Sequence, residues 1–409
     1  MVQKMGLENR GPDFTTMFKL FAIFPVMDRT IKFPMTIFTS KFLPRFLGPL
    51  LLVFALVGKQ KAQTINPMPP GFDAPEYADA LWLAFYGISD SLANQQVTLL
   101  NKGVYERKFR SKDVGLYNRC EIYLRSDSVI ILSLRGTVNQ KESWLENFYA
   151  GMIPAEGAIQ LTKDYRFNYK FADNANARVH VGWTIGTGFL AREYLPELDA
   201  LLARGLRNIL VTGHSQGGAL SFLNTSLIHY YFKEKYPGLR LKTYASAAPK
   251  PGNLPYAYDF DFITGAGFAY RVVNTLDWVP ESPISVQGIN DFNTPNPLAN
   301  AKATIKKQKW PQRMVLKHLY NKMRKGSEKA AGRYQKYLGT GVGKMVKKSL
   351  PGFEPPAYSK GSNYMTAGAP VILSPDADYG QVFVADEKKI FLHHTYAAYM
   401  YLLEKQFGL

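Results

Sequence analysis

A serine hydroxyl attacks a carbonyl only when a base takes its proton and the backbone holds the oxygen clear of its own chain. Ser215 is placed for that chemistry. It stands at the centre of Gly213-His214-Ser215-Gln216-Gly217, between the apolar run at 208–212 and a stretch over 216–234 that reads as a helix. A turn squeezed between strand and helix strains its central residue and leaves no room for side chains two places to either side. Gly213, His214 and Gly217 therefore form an elbow that presents Ser215. The helix N-terminus behind it adds partial positive charge where an oxyanion would develop.

Such a serine needs an imidazole base, and the imidazole needs a carboxylate to fix its tautomer. In a strand–elbow–helix arrangement the chain order is serine, acid, histidine. Of the six histidines, His180 and His214 precede Ser215, and His229 lies in the helix just after it. His318 falls in a lysine-rich segment that suits a neutral base poorly. The base is His393 or His394. For the acid, Asp277 follows an apolar run at 269–274 and precedes the rigid Trp278-Val279-Pro280. Glu281 lies beyond the proline and reads as a solvated loop acid, and Asp291, Glu328 and Glu354 sit in polar stretches.

The elements that would carry these residues follow from periodicity. Residues 76–92 read as a helix with Leu81, Leu83, Ala84, Phe85 and Ile88 on one face. Strands are expected at 121–125, 128–134, 208–212, 242–247 and 269–274, and a strand end at 179–183. Helices are expected at about 187–203, 216–234 and 391–405. Strands alternating with helices predict an α/β fold with a mostly parallel sheet covered on both faces.

The chain has 409 residues, 46% of them aliphatic, aromatic or cysteine, which is enough for a large buried core. Its net charge is +18, but residues 301–350 hold fifteen Lys or Arg against one acid, Glu328. The charge belongs to one segment. It argues for an anionic surface as partner rather than for nucleic acid along the whole fold. The lone Cys120 can form no internal disulfide and no metal cluster. Residues 46–58 form an apolar run after Lys41 and Arg45, laid out like a secretory signal peptide. We expect an N-terminal extension and signal over 1–63, a main domain over 64–409, and a secreted or periplasmic protein.

Four ordered motifs resemble the class 3 lipases, the fungal-type lipases of the α/β-hydrolase group. They are Leu134-Arg135-Gly136-Thr137, the elbow through Leu220, Ala248-Pro249-Lys250-Pro251-Gly252-Asn253, and Arg271-Val272-Val273-Asn274-Thr275-Leu276-Asp277. The resemblance implies Ser215 as nucleophile, Asp277 as acid and His394 as base. It also implies an oxyanion hole made by Thr137 and the N–H of Gln216, where many family members carry leucine. It places a lid at about 138–176, with Trp144, Phe148 and Tyr149 as its apolar groups. A basic, helical insertion is expected over about 284–375, between acid and base. Gly339-Thr340-Gly341-Val342-Gly343-Lys344 is not a phosphate loop, since Met345 stands where Ser or Thr is needed.

The function so implied is a secreted serine ester hydrolase, a triacylglycerol lipase working without cofactor or metal. Its partner would be a lipid or ester substrate, with residues 301–350 meeting an anionic membrane or lipid-droplet surface. The alternatives are a phospholipase A1, a soluble carboxylesterase, or an idle lipid-surface binding protein.

Overall fold

The computed structural model describes residues 68–87, 96–99, 103–265 and 267–409, all in the unit Thr64–Leu409. The expected signal segment and extension lie outside the described residues. Twelve strands and ten α-helices are described. The strands are β1 Gln96–Leu99, β2 Gly103–Arg110, β3 Cys120–Arg125, β4 Val129–Leu134, β5 Met152–Pro154, β6 Glu156–Thr162, β7 Tyr165–Lys170, β8 Arg178–His180, β9 Asn208–His214, β10 Arg240–Ser246, β11 Ala269–Asn274 and β12 Ala369–Leu373. The helices are α1 Ala74–Trp82, α2 Lys141–Phe148, α3 Val181–Ala203, α4 Gln216–Phe232, α5 Leu254–Thr264, α6 Ala301–Lys306, α7 Gln312–Arg333, α8 Val342–Ser349, α9 Ala377–Val382 and α10 Tyr396–Phe407.

Eight strands form the central sheet in the order β1-β2-β3-β4-β9-β10-β11-β12. The β1–β4 meander is antiparallel, and β4, β9, β10, β11 and β12 run parallel. The mostly parallel sheet expected from the alternation is present, with helices on both faces.

Burial on both sides explains why the inner strands read as unbroken apolar runs. Along β4, Ile130, Leu132 and Leu134 pack on one face with α3, α4 and α5, while Val129 and Ile131 pack on the other with α1 and α10. In β9, Ile209 and Val211 take the first face and Leu210 the second. Each such side chain contributes about 1.5–3 kcal/mol. Cys120 is buried at the start of β3, where desolvation pushes its thiol up to about 12.

Three expectations need correction. The expected strand end over 179–183 stops at His180, and α3 starts at Val181 rather than near 187. The His180 ring accepts from the Trp183 N–H at 3.2 Å and so caps the helix early. Second, the insertion does not run to 375. Ala369–Leu373 is a strand of the central sheet, paired in register with β11. Third, His393 and His394 do not open the last helix. They lie in a short 3₁₀ turn, Leu392–His394, ahead of the α10 cap Thr395.

Candidate active site

The elbow lies at the end of β9. Ser215 has φ 62° and ψ −127°, a conformation that costs a non-glycine residue about 1–3 kcal/mol. Its N–H donates to the Ser246 carbonyl at 3.0 Å, tying the turn to the end of β10. The glycines are steric necessities. A Cβ on Gly213 would lie 2.3 Å from the Gly217 carbonyl carbon, and one on Gly217 would lie 2.2 Å from the Leu134 carbonyl oxygen.

Asp277 is buried just past the end of β11. Its Oδ2 is 2.6 Å from His394 Nδ1 and accepts from the Tyr399 hydroxyl at 2.8 Å, while Oδ1 accepts from the Val279 N–H at 3.0 Å. A carboxylate can only accept, so Nδ1 carries the proton and Nε2 keeps a lone pair. That Nε2 is buried and has no hydrogen-bond partner among the described residues. The neighbouring His393 is held apart, with Nδ1 2.8 Å from the Tyr379 hydroxyl. Glu281 is exposed.

His214 links the elbow to the base. Its Nε2 is 2.9 Å from the His394 carbonyl and its Nδ1 is 3.0 Å from Ser246 Oγ, which is 2.7 Å from the Tyr77 hydroxyl. Burial drives its imidazolium form well down, so the ring is neutral. The carbonyl only accepts, which puts the proton on Nε2 and makes Nδ1 the acceptor from Ser246. The chain Tyr77–Ser246–His214–His394 is therefore directional. Sequence reading placed His214 in the elbow but missed this second role.

Thr137 and Gln216 are joined directly. The Thr137 hydroxyl donates to Gln216 Oε1 at 2.9 Å and accepts from Asn147 Nδ2 at 2.8 Å. Gln216 is the first residue of α4, so its N–H has no partner within the helix. Asn147, Glu146 and Asn118, all missed from sequence, complete this cluster. The only signal for it was the glutamine at 216. Among the described residues no group of three or more His, Cys, Asp or Glu could hold a metal ion.

Residues 131–287 match the family described as "Lipase (class 3)". The chain matches the class 3 lipase family. It is 28% identical over 123 residues to "Lipase" of Rhizopus niveus and, equally, to "Lipase" of Rhizopus oryzae, covering 29% of this chain and 30% of theirs. The chain thus spans less than a third of the length of those curated relatives. A solved lipase from Rhizopus microsporus var. chinensis aligns at 22% identity and TM-score 0.39, covering 53% of this chain and 74% of that one. Lip2 lipase from Yarrowia lipolytica aligns at 19% and 0.38, covering 53% and 79%.

The lid that the resemblance implies takes a different form here. Most of 138–176 is packed structure, with β5 paired to β8 and the β6–β7 hairpin seated on the core. Tyr149 is not a lid residue: it is fully buried and its hydroxyl bonds that of Tyr358 at 2.6 Å. The α8 glycine Gly343 lies so close that a Cβ there would sit 2.6 Å from the Tyr149 hydroxyl. The inner face of α2 is also buried, through Ser143, Leu145 and Glu146. Only its outer face is at the surface, where the Trp144 and Phe148 rings lie 6.2 Å apart. Trp144 also meets Phe391 at 6.0 Å, and Phe391 lies 5.6 Å from Trp278 and 5.8 Å from His394. These rings make an apolar roof beside the histidine.

Proposed function

We propose that the protein is a serine ester hydrolase cleaving lipid esters through an acyl-enzyme, with triacylglycerol as its substrate class. The observation that carries this reading is the buried Asp277–His394 hydrogen bond, held against an elbow that presents Ser215 in a strained turn. His394 Nε2 takes the Ser215 proton as Oγ attacks the ester carbonyl. The N–H groups of Gln216 and Thr137 receive the oxyanion, and the protonated histidine returns its proton to the departing alcohol. Water then repeats the sequence to release the acid. The name lipase carried by the Rhizopus relatives supports a lipid ester, as does the exposed apolar rim of Phe148, Leu276, Trp278 and Ile390. The apolar run at 46–58 supports a secreted enzyme.

Ser215→Ala tests this. Hydrolysis of p-nitrophenyl butyrate should fall by about 10³-fold or more while the protein stays folded, because the attacking atom is gone. A folded variant keeping a tenth of the wild-type kcat would remove Ser215 from the reaction.

A second reading, phospholipase A1, has its own support in the basic segment. Residues 311–319 are all exposed, and in α7 Val315, Leu319 and Met323 form one apolar stripe. Lys322 and Lys329 flank it on one side and Arg313 on the other. Such a face suits an anionic lipid surface. Comparing emulsified triacylglycerol with phosphatidylglycerol vesicles separates the two readings.

A further inference from the structure

Behind the proposed oxyanion hole lies a buried polar cluster. Gln216 Oε1 accepts from the Thr137 hydroxyl at 2.9 Å, from Asn147 Nδ2 at 3.3 Å and from Ser143 Oγ at 3.4 Å. With its oxygen so committed, the amide must turn Nε2 the other way, where it donates to Glu146 Oε1 at 2.8 Å. The second carboxyl oxygen of Glu146 lies 2.5 Å from Asn118 Nδ2. Glu146 and Gln216 are both essentially solvent-free. Asn147 is anchored as well, since its Oδ1 accepts from Trp183 Nε1 at 3.1 Å and its carbonyl is 3.2 Å from His180 Nε2.

The fold makes room for this acid. A Cβ on Gly186 would lie 2.3 Å from Glu146 Oε1, and one on Gly182 would lie 2.0 Å from the Glu146 carbonyl oxygen. Two bare positions on α3 let α2 press a carboxyl group flush against the helix backbone. Burying an ionisable side chain is costly unless its polar atoms are paired, and both Glu146 carboxyl oxygens are.

We propose that Glu146 is a positioning residue, holding the Gln216 side chain against Thr137 and so fixing the spacing between the two oxyanion donors. Gln216 supplies one donor from its backbone and tethers the other through its side chain. The hole is cross-linked before substrate arrives, and Glu146 sets the rotamer that makes the cross-link. Leucine at 216 would keep the backbone donor and lose the tether. Burial pushes the Glu146 carboxyl up to about 8, against the hydrogen bonds from Asn118 and Gln216 that favour its carboxylate. Its two oxygens accept from Gln216 Nε2 and Asn118 Nδ2, and Asn118 Oδ1 in turn lies 3.4 Å from Gln216 Nε2. A glutamine at 146 has the same shape and keeps the oxygen that accepts from Gln216 Nε2.

This inference rests on the serine-hydrolase reading, and the test separates the two. The full chain is assayed on p-nitrophenyl butyrate as wild type, Ser215→Ala, Glu146→Leu, Glu146→Gln, Gln216→Leu and the Glu146→Leu/Gln216→Leu double variant. Affinity for a butyl boronic acid, whose serine adduct is tetrahedral, is measured alongside. An active Ser215→Ala variant removes the parent reading. Given an inactive one, Glu146→Leu and Gln216→Leu should each lower kcat by about 10- to 100-fold, since misplacing an oxyanion donor costs on that order. KM should change little, and boronate affinity should fall in step with kcat. The double variant should be no worse than either single one, because both break the same tether. Glu146→Gln should stay within about threefold of wild type. Gln216→Leu carries the test if Glu146→Leu fails to fold. Wild-type kcat in a folded leucine variant, losses confined to KM, losses that multiply in the double variant, or a glutamine variant as impaired as the leucine one would each overturn the inference.

Discussion

Two adjacent histidines, 393 and 394, are chemically identical and differ only in what they touch. His394 Nδ1 bonds Asp277, and the carbonyl of the same residue accepts from His214, so ring and backbone are both held at the elbow. The His393 ring bonds Tyr379, and its carbonyl accepts from Asn274 Nδ2 at 3.0 Å. We expect His394→Ala to lower kcat about as far as Ser215→Ala, because groups that act as one unit fail together. His393→Ala should cost less than tenfold, through a loosened 3₁₀ turn. Steady-state kinetics on a soluble ester checks this, and the reverse ranking would move the base to His393. From sequence, motif order and local context together reduced six histidines to these two. Asp277 was legible because it followed an apolar strand. Glu146 was not, since an acid at the third-last place of a short helix normally faces water.

At the scale of elements, α2 and α7 show how a charge or aromatic pattern misleads without its neighbours. Large apolar residues in a connection suggested a flap, yet α2 is pinned by Tyr149, Glu146 and the glycines of α3. The insertion was legible as helical and basic. What sequence could not say is that α7 buries none of its residues. The basic residues around its apolar stripe suit the proposed anionic lipid surface. Each basic group near such a surface contributes about 1 kcal/mol, an effect that salt screens. The protein should therefore co-sediment with phosphatidylcholine vesicles only when they contain phosphatidylserine, and less so as salt rises. Lys322→Glu with Lys325→Glu should weaken that binding about tenfold or more and leave hydrolysis of p-nitrophenyl butyrate unchanged. Binding indifferent to lipid charge and salt would sink the idea. A salt-resistant dimer would assign the stripe to a second copy of the chain.

Across the whole molecule, α1 is fastened to the sheet by two buried acids, Asp79, which accepts from the Tyr105 hydroxyl of β2 at 2.9 Å, and Glu76. Glu76 Oε1 accepts from Arg125 on β3 at 2.8 Å, and Oε2 accepts from Lys242 on β10 at 2.7 Å and from the Tyr244 hydroxyl at 2.9 Å. All three charged groups are buried. A buried ion cluster adds little net stability when complete, but removing one partner leaves charge uncompensated. Glu76→Ala should cost about 3–5 kcal/mol in denaturant unfolding, far more than a surface substitution. A loss below about 1 kcal/mol would mean that water or a rearranged neighbour replaces the carboxylate.

What the sequence determined by itself is local. Apolar runs bounded by glycine specified the inner strands, and G-x-S-x-G between strand and helix specified a strained elbow, because both depend on residues adjacent in the chain. The meander strands β1 and β2, the edge strand β12 and the early start of α3 escaped it. Of these, β12 depends on β11, about a hundred residues earlier in the chain, and the early turn of α3 is fitted against α2 through its glycines. The tertiary structure alone decided which histidine meets Asp277, which aromatic groups stay at the surface, and that Gln216 clasps Thr137. These are contacts between segments 79 to 117 residues apart in the two hydrogen-bonded cases. Their energy comes from excluding water around paired polar groups, and that exclusion exists only once the sheet and its helices have closed over them.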